Sequence, residues 1–307
     1  MLHRNKKIGV IMGGPSSERE VSLRTGKGVL EALQSRKYDV VGIDWKDGES
    51  LPAALQQHRV EVAWIALHGV WGEDGCVQGL LECLRIPYTG SGVMGSAIAM
   101  DKVMSKRIFA QVGVEQAKWR LYRGEEDVAA VGFPLVVKPS REGSSVGVTI
   151  VKDPAQLSRA IEEARRHHGE VLIEEYVRGR EINVAVLDGP GGPEALGDVE
   201  VRPAVEFYTY EAKYQRNDTQ YLTPAPVSDE EHARLGDIAR RAHAALGCSG
   251  YSRVDLILAP AGRAICLEVN TLPGMTEKSL LPKIAASKGM DYATLVEKIL
   301  DGASLKA

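Results

Sequence analysis

Three features of the 307-residue chain predict an α/β protein of two or three domains. A strand, a glycine turn and a helix open the sequence over residues 7–33, further strands alternate with helical stretches, and residues 251–280 read as a hairpin followed by a loop and a helix. At 44% hydrophobic and 26% charged, with 32 Gly and 14 Pro, the composition is that of a soluble globular protein with a sizeable core. A net charge of -3 offers no overall basic field for nucleic acid or an anionic membrane, so any anion must be bound locally. Residues 1–7 lack the apolar segment of a signal peptide, and no apolar run reaches the ~18 residues that span a bilayer, so the cytoplasm is the expected compartment.

In chain order, residues 7–12 form a short strand that enters the turn Gly13-Gly14-Pro15-Ser16-Ser17, and a helix runs on to Leu33. Ser17 and Glu20 have capping-box spacing. Glu18 suits the positive end of the helix dipole and equally suits a substrate ammonium, and local sequence does not choose between them. The turn lacks G-x-G-x-x-G, which argues against a dinucleotide fold. Strands are predicted at 38–43 and 62–67, the latter ending at His68-Gly69-Val70-Trp71-Gly72-Glu73-Asp74-Gly75, where ligand loops of such sheets lie. Glu73 and Asp74 read as the start of a helix at Cys76, and His68 stays open between a structural and a ligand role.

A domain boundary is expected after Gly92, followed by one helix over 94–112 that contains Lys102. Lys138 closes an apolar strand over 133–139, and a buried charge of that kind needs an anion. The small-residue loop from Ser140 to Gly147, with Ser144 and Ser145, can lay backbone N–H groups and hydroxyls over phosphates, although such loops are often plain turns. A strand over 171–177 ends in Glu174, Glu175 and Val177, and Glu181 opens the next. Acids at a strand end are often only solvated, but here they offer acceptors for an adenine amino group and ribose hydroxyls. Residues 206–226 show no period yet hold Tyr208, Tyr210, Lys213, Tyr214 and Tyr221, as a lid over a site would. Ser228 starts an amphipathic helix running to Leu246.

In the hairpin, two apolar runs flank a turn at Pro260-Ala261-Gly262. Alternation puts Arg253 and Asp255 on one face and Glu268 and Asn270 on one face of the partner strand, with Val254, Leu256, Leu267 and Val269 pointing away. If the polar faces coincide, two carboxylates and an amide oxygen form a magnesium cradle beside a guanidinium; otherwise this is a hairpin with one wet face. Asn270-Thr271-Leu272-Pro273-Gly274 then breaks the strand, so that Gly274 brings a bare N–H near a reacting oxygen, and Thr276 or Ser279 caps a helix starting near Leu280. Cys76, Cys83, Cys248 and Cys266 show no zinc-site spacing and are read as buried free thiols, Cys76 and Cys83 on a core-facing stripe with Leu80 and Leu84.

Four motifs, H-G-V-W-G-E-D-G-C-V-Q-G at 68–79, K-P-S-R-E-G-S-S-V-G at 138–147, Y-E-A-K-Y at 210–214, and R-V-D with E-V-N-T-L-P-G-M in the hairpin, occur in an order that resembles the D-alanine:D-alanine ligases of the ATP-grasp superfamily. The resemblance runs from Lys7 to the last helix. Cys266 stands where the family usually has leucine or isoleucine, and Asn183 is a milder departure.

The resemblance implies a three-domain ATP-grasp architecture with a Rossmann-like N-terminal domain (1–93), a central subdomain (94–179) and a C-terminal subdomain (180–307) with the metal site and the lid loop 206–226. ATP would lie between the central and C-terminal sheets. Lys102 and Lys138 would contact the α and β phosphates, Ser145 would cover them, and Lys213 would reach the γ-phosphate. Glu174, Glu175 and the Val177 backbone would hold adenine, and Glu181 the ribose. Asp255, Glu268 and Asn270 would bind two Mg2+ ions, with Mn2+ as a substitute and a monovalent cation as a further requirement of some members. Glu18 would hold the first D-alanine ammonium and connect through Ser144 to Tyr214. Arg253 and the Gly274 N–H would stabilise the tetrahedral oxyanion, Ser279 and Leu280 would take the second carboxylate, and His68 would sit near the second substrate.

The implied reaction is ATP-dependent formation of D-alanyl-D-alanine through D-alanyl phosphate for peptidoglycan precursor synthesis, in a homodimer. The rivals are a related carboxylate–amine or D-alanine:D-lactate ligase and a non-catalytic nucleotide-binding protein. The first would differ at Glu18, Tyr214 and Ser279, and the second would have lost a metal ligand or Arg253.

Overall fold

The computed structural model describes residues 2–46, 48–143, 146–203 and 218–306. Strand β1 (Ile8–Gly13) is buried along its whole length, as expected for a strand with neighbours on both sides. It leads into α1 (Arg19–Ser35), β2 (Val40–Trp45), α2 (Leu51–Gln57) and β3 (Val62–Ile65), and the strands pair in parallel in the order β2-β1-β3. Ser22 staples helix to sheet, accepting from the Gly13 N–H and donating to the Ala66 carbonyl, each at 2.8 Å. The predicted Ser17–Glu20 capping box does not form. The helix begins at Arg19, so Glu18 rather than Ser17 holds the N-cap position, and the Ser16 hydroxyl instead accepts from the Glu18 N–H and donates to the His68 carbonyl.

Helix α3 (Cys76–Cys83) corrects a second expectation. Its buried side chains are Val77, Gln78 and Leu81, so the inward stripe is turned one position from the one read, and Cys76 and Cys83 are exposed. The single helix expected over 94–112 is two, α4 (Val93–Met100) and α5 (Lys102–Gln111). Asp101 separates them because its carboxylate accepts from the Val103 and Met104 N–H groups at 3.0 Å, which holds Asp101 itself extended (ψ 100°).

The middle of the chain folds as β4 (Trp119–Leu121), α6 (Glu125–Val131), β5 (Leu135–Pro139), β6 (Thr149–Val151), α7 (Leu157–His167) and β7 (Val171–Glu175), an antiparallel sheet of order β4-β7-β5-β6. The C-terminal part contributes β8 (Arg180–Gly189), β9 (Gly192–Arg202), β10 (Gln220–Leu222), α8 (Asp229–Ala245), β11 (Tyr251–Leu258), β12 (Ala264–Asn270), α9 (Leu280–Ser287) and α10 (Tyr292–Asp301). Its sheet runs β10-β9-β8-β11-β12. Ser228 opens α8 as expected, and it closes a capping box with Glu231. Of the stretch read as a lid, residues 206–217 lie outside the described residues, together with Ser144, Ser145, Tyr208, Tyr210, Lys213 and Tyr214; the rest includes β10, which pairs with the outer edge of β9.

Two apolar cores join the parts. One packs β1 and β3 against α9 and α10 and against Leu187 and Tyr251 of the C-terminal sheet; the other sets Ala99 and Phe109 of α4 and α5 against Ile182, Leu256 and Leu235. The second core fixes the start of α5, and so Lys102, beside β12. Among the described residues no helix is long and apolar enough to cross a membrane.

Candidate active site

The hairpin forms and brings the two polar faces together: Arg253 opposes Asn270 and Asp255 opposes Glu268. Arg253 grips both oxygens of Asp255, Nε to Oδ1 and Nη2 to Oδ2 at 2.7 Å each, and Asn270 Nδ2 donates to Oδ2 at 3.1 Å. Glu268 Oε2 lies 3.3 Å from Lys102 Nζ. One prediction fails at this hairpin. A bulge after Asp255 makes Cys266, not Leu267, the partner of Leu256, so Cys266 takes the core position and Leu267 turns toward a cavity. Burial pushes the Cys266 thiol up to about 12, which leaves it a packing group. The turn itself is a 3-10 turn at Pro260–Gly262. Two carboxylates and an amide oxygen on opposed strands are the hard donors that magnesium takes, with phosphate oxygens and water completing an octahedron. No group of three or more His, Cys, Asp or Glu suited to a metal occurs among the described residues, so the fit depends on that mixed donor set.

On one side of the hairpin lies a cavity of about 420 Å³ lined by Lys102, Lys138, Glu174, Glu175, Val177 and Glu181, with Asp255 and Glu268 at its edge. Lys102, expected within a helix, is 8% exposed, and its Nζ donates to the Glu142 carbonyl at 2.5 Å. The anion that Lys138 was expected to need is Glu174. Alternation along β7 turns Glu174 inward and leaves Glu175 exposed. Lys106 Nζ sits 2.7 Å from the other Glu174 oxygen. Burial alone would push the Glu174 carboxyl up, but Lys106 and Lys138 outweigh it and hold it below the usual range; the same burial pulls the Lys106 ammonium down against Glu174. Sequence reading missed Lys106, although its place one turn after Lys102 in the helix was a usable signal.

The other cavity, about 900 Å³, is lined by Glu18, His68, Arg253, Gly274, Ser279 and Leu280 among others. Glu18 is 6% exposed. A Cβ placed on Gly69 or Gly143 would come within 2.7 or 2.9 Å of its Oε2, so the loop after β3 and the loop after β5 both close on this carboxylate with bare backbone. His68 Nε2 meets Thr25 Oγ1 at 3.0 Å, and burial lowers the imidazole pKa, so the ring is neutral at pH 7. Ser279 stands at the N-cap position of α9, as expected, but caps nothing. Its hydroxyl accepts from the Thr276 N–H at 3.0 Å and packs against Gly274, where a Cβ would approach to 2.9 Å.

Asp74 bonds the Cys76 N–H as a helix-start residue does, but Glu73 departs from that reading. It accepts from the Gly69 N–H at 2.7 Å and from the Leu272 N–H at 3.4 Å, linking the loop after β3 to the loop that carries Gly274. Burial, reinforced by Glu18, pushes its carboxyl from 4.5 up to about 8. An acid whose folded pKa exceeds its unfolded one keeps its proton in the fold, so folding stability declines as pH rises from 4.5 to about 8. One proton corresponds to about 1.4 kcal/mol per pH unit, a few degrees in Tm. Glu73→Gln, which cannot ionise, is expected to flatten the fall of Tm between pH 5 and 8; an unchanged slope would show that Glu73 titrates normally.

The two cavities share Glu181, Asp255 and Glu268, so they meet at the hairpin. Sequence profiles described as "D-ala D-ala ligase N-terminus" and "D-ala D-ala ligase C-terminus" match residues 7–54 with 46–91, and 94–301. The chain is 54% identical to a D-alanine–D-alanine ligase of Anaeromyxobacter sp. (strain Fw109-5), over 98% of each chain. The chain belongs to the D-alanine–D-alanine ligase family. Its structure is similar to the crystal structure of the Bacillus anthracis D-alanine–D-alanine ligase complexed with ATP, at 37% identity and a TM-score of 0.84 over 97% of each chain. It is also similar to the VanG D-Ala:D-Ser ligase of Enterococcus faecalis, at 30% identity and a TM-score of 0.83 over 97% of this chain and 99% of that one. The ATP-grasp fold read from the four motifs is therefore the fold of an enzyme in this family. The sign of the non-catalytic rival is not met at the hairpin, where Arg253, Asp255, Glu268 and Asn270 all stand in register.

Proposed function

We propose that the enzyme joins two D-alanine molecules at the expense of ATP, giving D-alanyl-D-alanine, ADP and phosphate, and so supplies a peptidoglycan precursor. The observation that carries this reading is the meeting of the two cavities at Asp255 and Glu268, with Lys102 and Lys138 on one side and Glu18, Arg253 and Gly274 on the other. The smaller cavity takes ATP: Glu174, Glu175 and the Val177 backbone face adenine, Glu181 the ribose, and Lys102 and Lys138 the phosphates. Asp255, Glu268 and Asn270 would hold two Mg2+ ions, or Mn2+, whose chemistry is to neutralise charge on the transferring phosphoryl group. Ser145 and Lys213 keep their phosphate roles and Ser144 and Tyr214 their link to Glu18 on the motifs alone.

In the larger cavity Glu18 receives the ammonium of the first D-alanine, whose carboxylate oxygen attacks the γ-phosphorus as the bond to ADP breaks. Ser279 and Leu280 hold the second carboxylate, and the second amine attacks the acyl carbon. Arg253 and the Gly274 N–H stabilise the oxyanion before phosphate leaves. His68, neutral and hydrogen-bonded to Thr25, orders the second substrate's side of the cavity. The division at 1–93, 94–179 and 180–307, a homodimeric state and a cytoplasmic location belong to the same proposal.

The likeness to a D-Ala:D-Ser ligase keeps a second reading open, in which a hydroxyl-bearing molecule is the preferred second substrate. Tyr214 argues for an amine nucleophile, since a neutral phenol imposes no charge penalty on an ammonium where a histidine would. Enzyme, ATP, magnesium and D-alanine incubated with excess D-lactate near pH 7 are expected to yield D-alanyl-D-alanine almost alone; a parallel incubation with excess D-serine, which also attacks through its amine, tests the second reading. Dominance of the depsipeptide or of D-alanyl-D-serine would overturn the assignment of the second substrate.

A further inference from the structure

Lys106 lines neither cavity, yet it is a lysine with 0% of its side chain exposed. Its Nζ lies 2.7 Å from Glu174 Oε1, while Lys138 pairs with Oε2 and reaches the smaller cavity. A buried carboxylate next to Lys138 would already have its countercharge, so a second buried lysine is not needed to satisfy Glu174, and burying an ammonium carries a desolvation cost even when it is paired. The arrangement of two cations about one anion leaves a net positive charge, and only Lys138 among the two cations opens toward the cavity.

We propose that Lys106 is a positioning residue for the nucleotide phosphates: by sharing the charge of Glu174 it prevents that carboxylate from cancelling Lys138, which then presents an uncompensated ammonium to the phosphate chain. The proposal rests on the reading of the smaller cavity as the nucleotide site. A structural role alone would have Lys106 hold Glu174 and β7 in place, and would affect every part of the nucleotide alike. Adenosine, which lacks phosphates, separates the two.

Equilibrium binding of ADP and of adenosine to the full chain, with magnesium present, provides the test. Lys106→Met, which keeps the length and apolar stem of the side chain, is expected to weaken ADP by about tenfold while leaving adenosine within about twofold. In a Glu174→Gln background, where no carboxylate remains to cancel Lys138, the same change is expected to cost ADP little. Equal weakening of ADP and adenosine, unchanged ADP affinity, or an undiminished loss in the Glu174→Gln background would each overturn the proposal. A thermal melt checks folding, and Lys106→Gln gives the same comparison if the Met variant does not fold. Failure of the wild-type chain to bind either ligand would instead overturn the nucleotide reading, and the proposal with it.

Discussion

Glu268→Gln is expected to lower turnover by at least ~10²-fold with little change in Tm, because it removes one charge from the metal cradle at nearly constant shape. The side chain is 26% exposed and its ion pair with Lys102, at 3.3 Å, is loose, so the fold loses little with it. Asp255→Asn is expected to abolish turnover as well but to lower Tm more, since Asp255 is 5% exposed and holds Arg253 through two hydrogen bonds. Initial rates at saturating magnesium, measured beside melting curves, check both. Near-normal turnover in both variants would remove the hairpin from the reaction.

Arg253→Met is expected to carry the second large effect, about 10²–10³-fold on dipeptide formation, the loss typical of one oxyanion donor. Arg253→Lys restores the charge but not the planar fork that grips Asp255, so it should recover only a small part. The ratio of dipeptide to ADP distinguishes the steps. If Arg253 acts on the tetrahedral oxyanion, ADP continues to form slowly while the acyl phosphate is lost to water, and the ratio falls below one. Loss of ADP and dipeptide in strict proportion would instead confine Arg253 to orienting Asp255.

The hairpin was the most legible part of the chain because strand alternation has a fixed period, which placed Arg253 with Asp255 and Glu268 with Asn270 on common faces; that these two faces coincide was visible only in the fold. The bulge that exchanges Leu267 for Cys266 was not legible, since the sequence gives no sign of which residue a strand leaves unpaired. Local competition explains the errors in the first half. Asp101 interrupts what reads as one helix because it caps the second, and the capping box at Ser17 gives way because the helix starts one residue later, with Ser16 bonded to the distant His68 carbonyl. Charges buried by remote partners were the hardest to see. Lys106 meets Glu174 across 68 positions and Glu73 meets the Leu272 N–H across 199, so neither pairing could be seen before the chain was folded. The ATP-grasp assignment itself came from four motifs in order, not from periodicity.

The central claim is that the two cavities meet so that a carboxylate in the larger one is phosphorylated by a nucleotide in the smaller one. D-Alanine carrying ¹⁸O in its carboxylate tests this most directly, because attack on the γ-phosphorus leaves one labelled oxygen bridging carbon and phosphorus, and the later C–O cleavage delivers it to inorganic phosphate. Mass analysis of the phosphate released during dipeptide synthesis is predicted to show one ¹⁸O atom per phosphate. Phosphate free of label, with dipeptide still formed, would contradict an acyl phosphate at this hairpin.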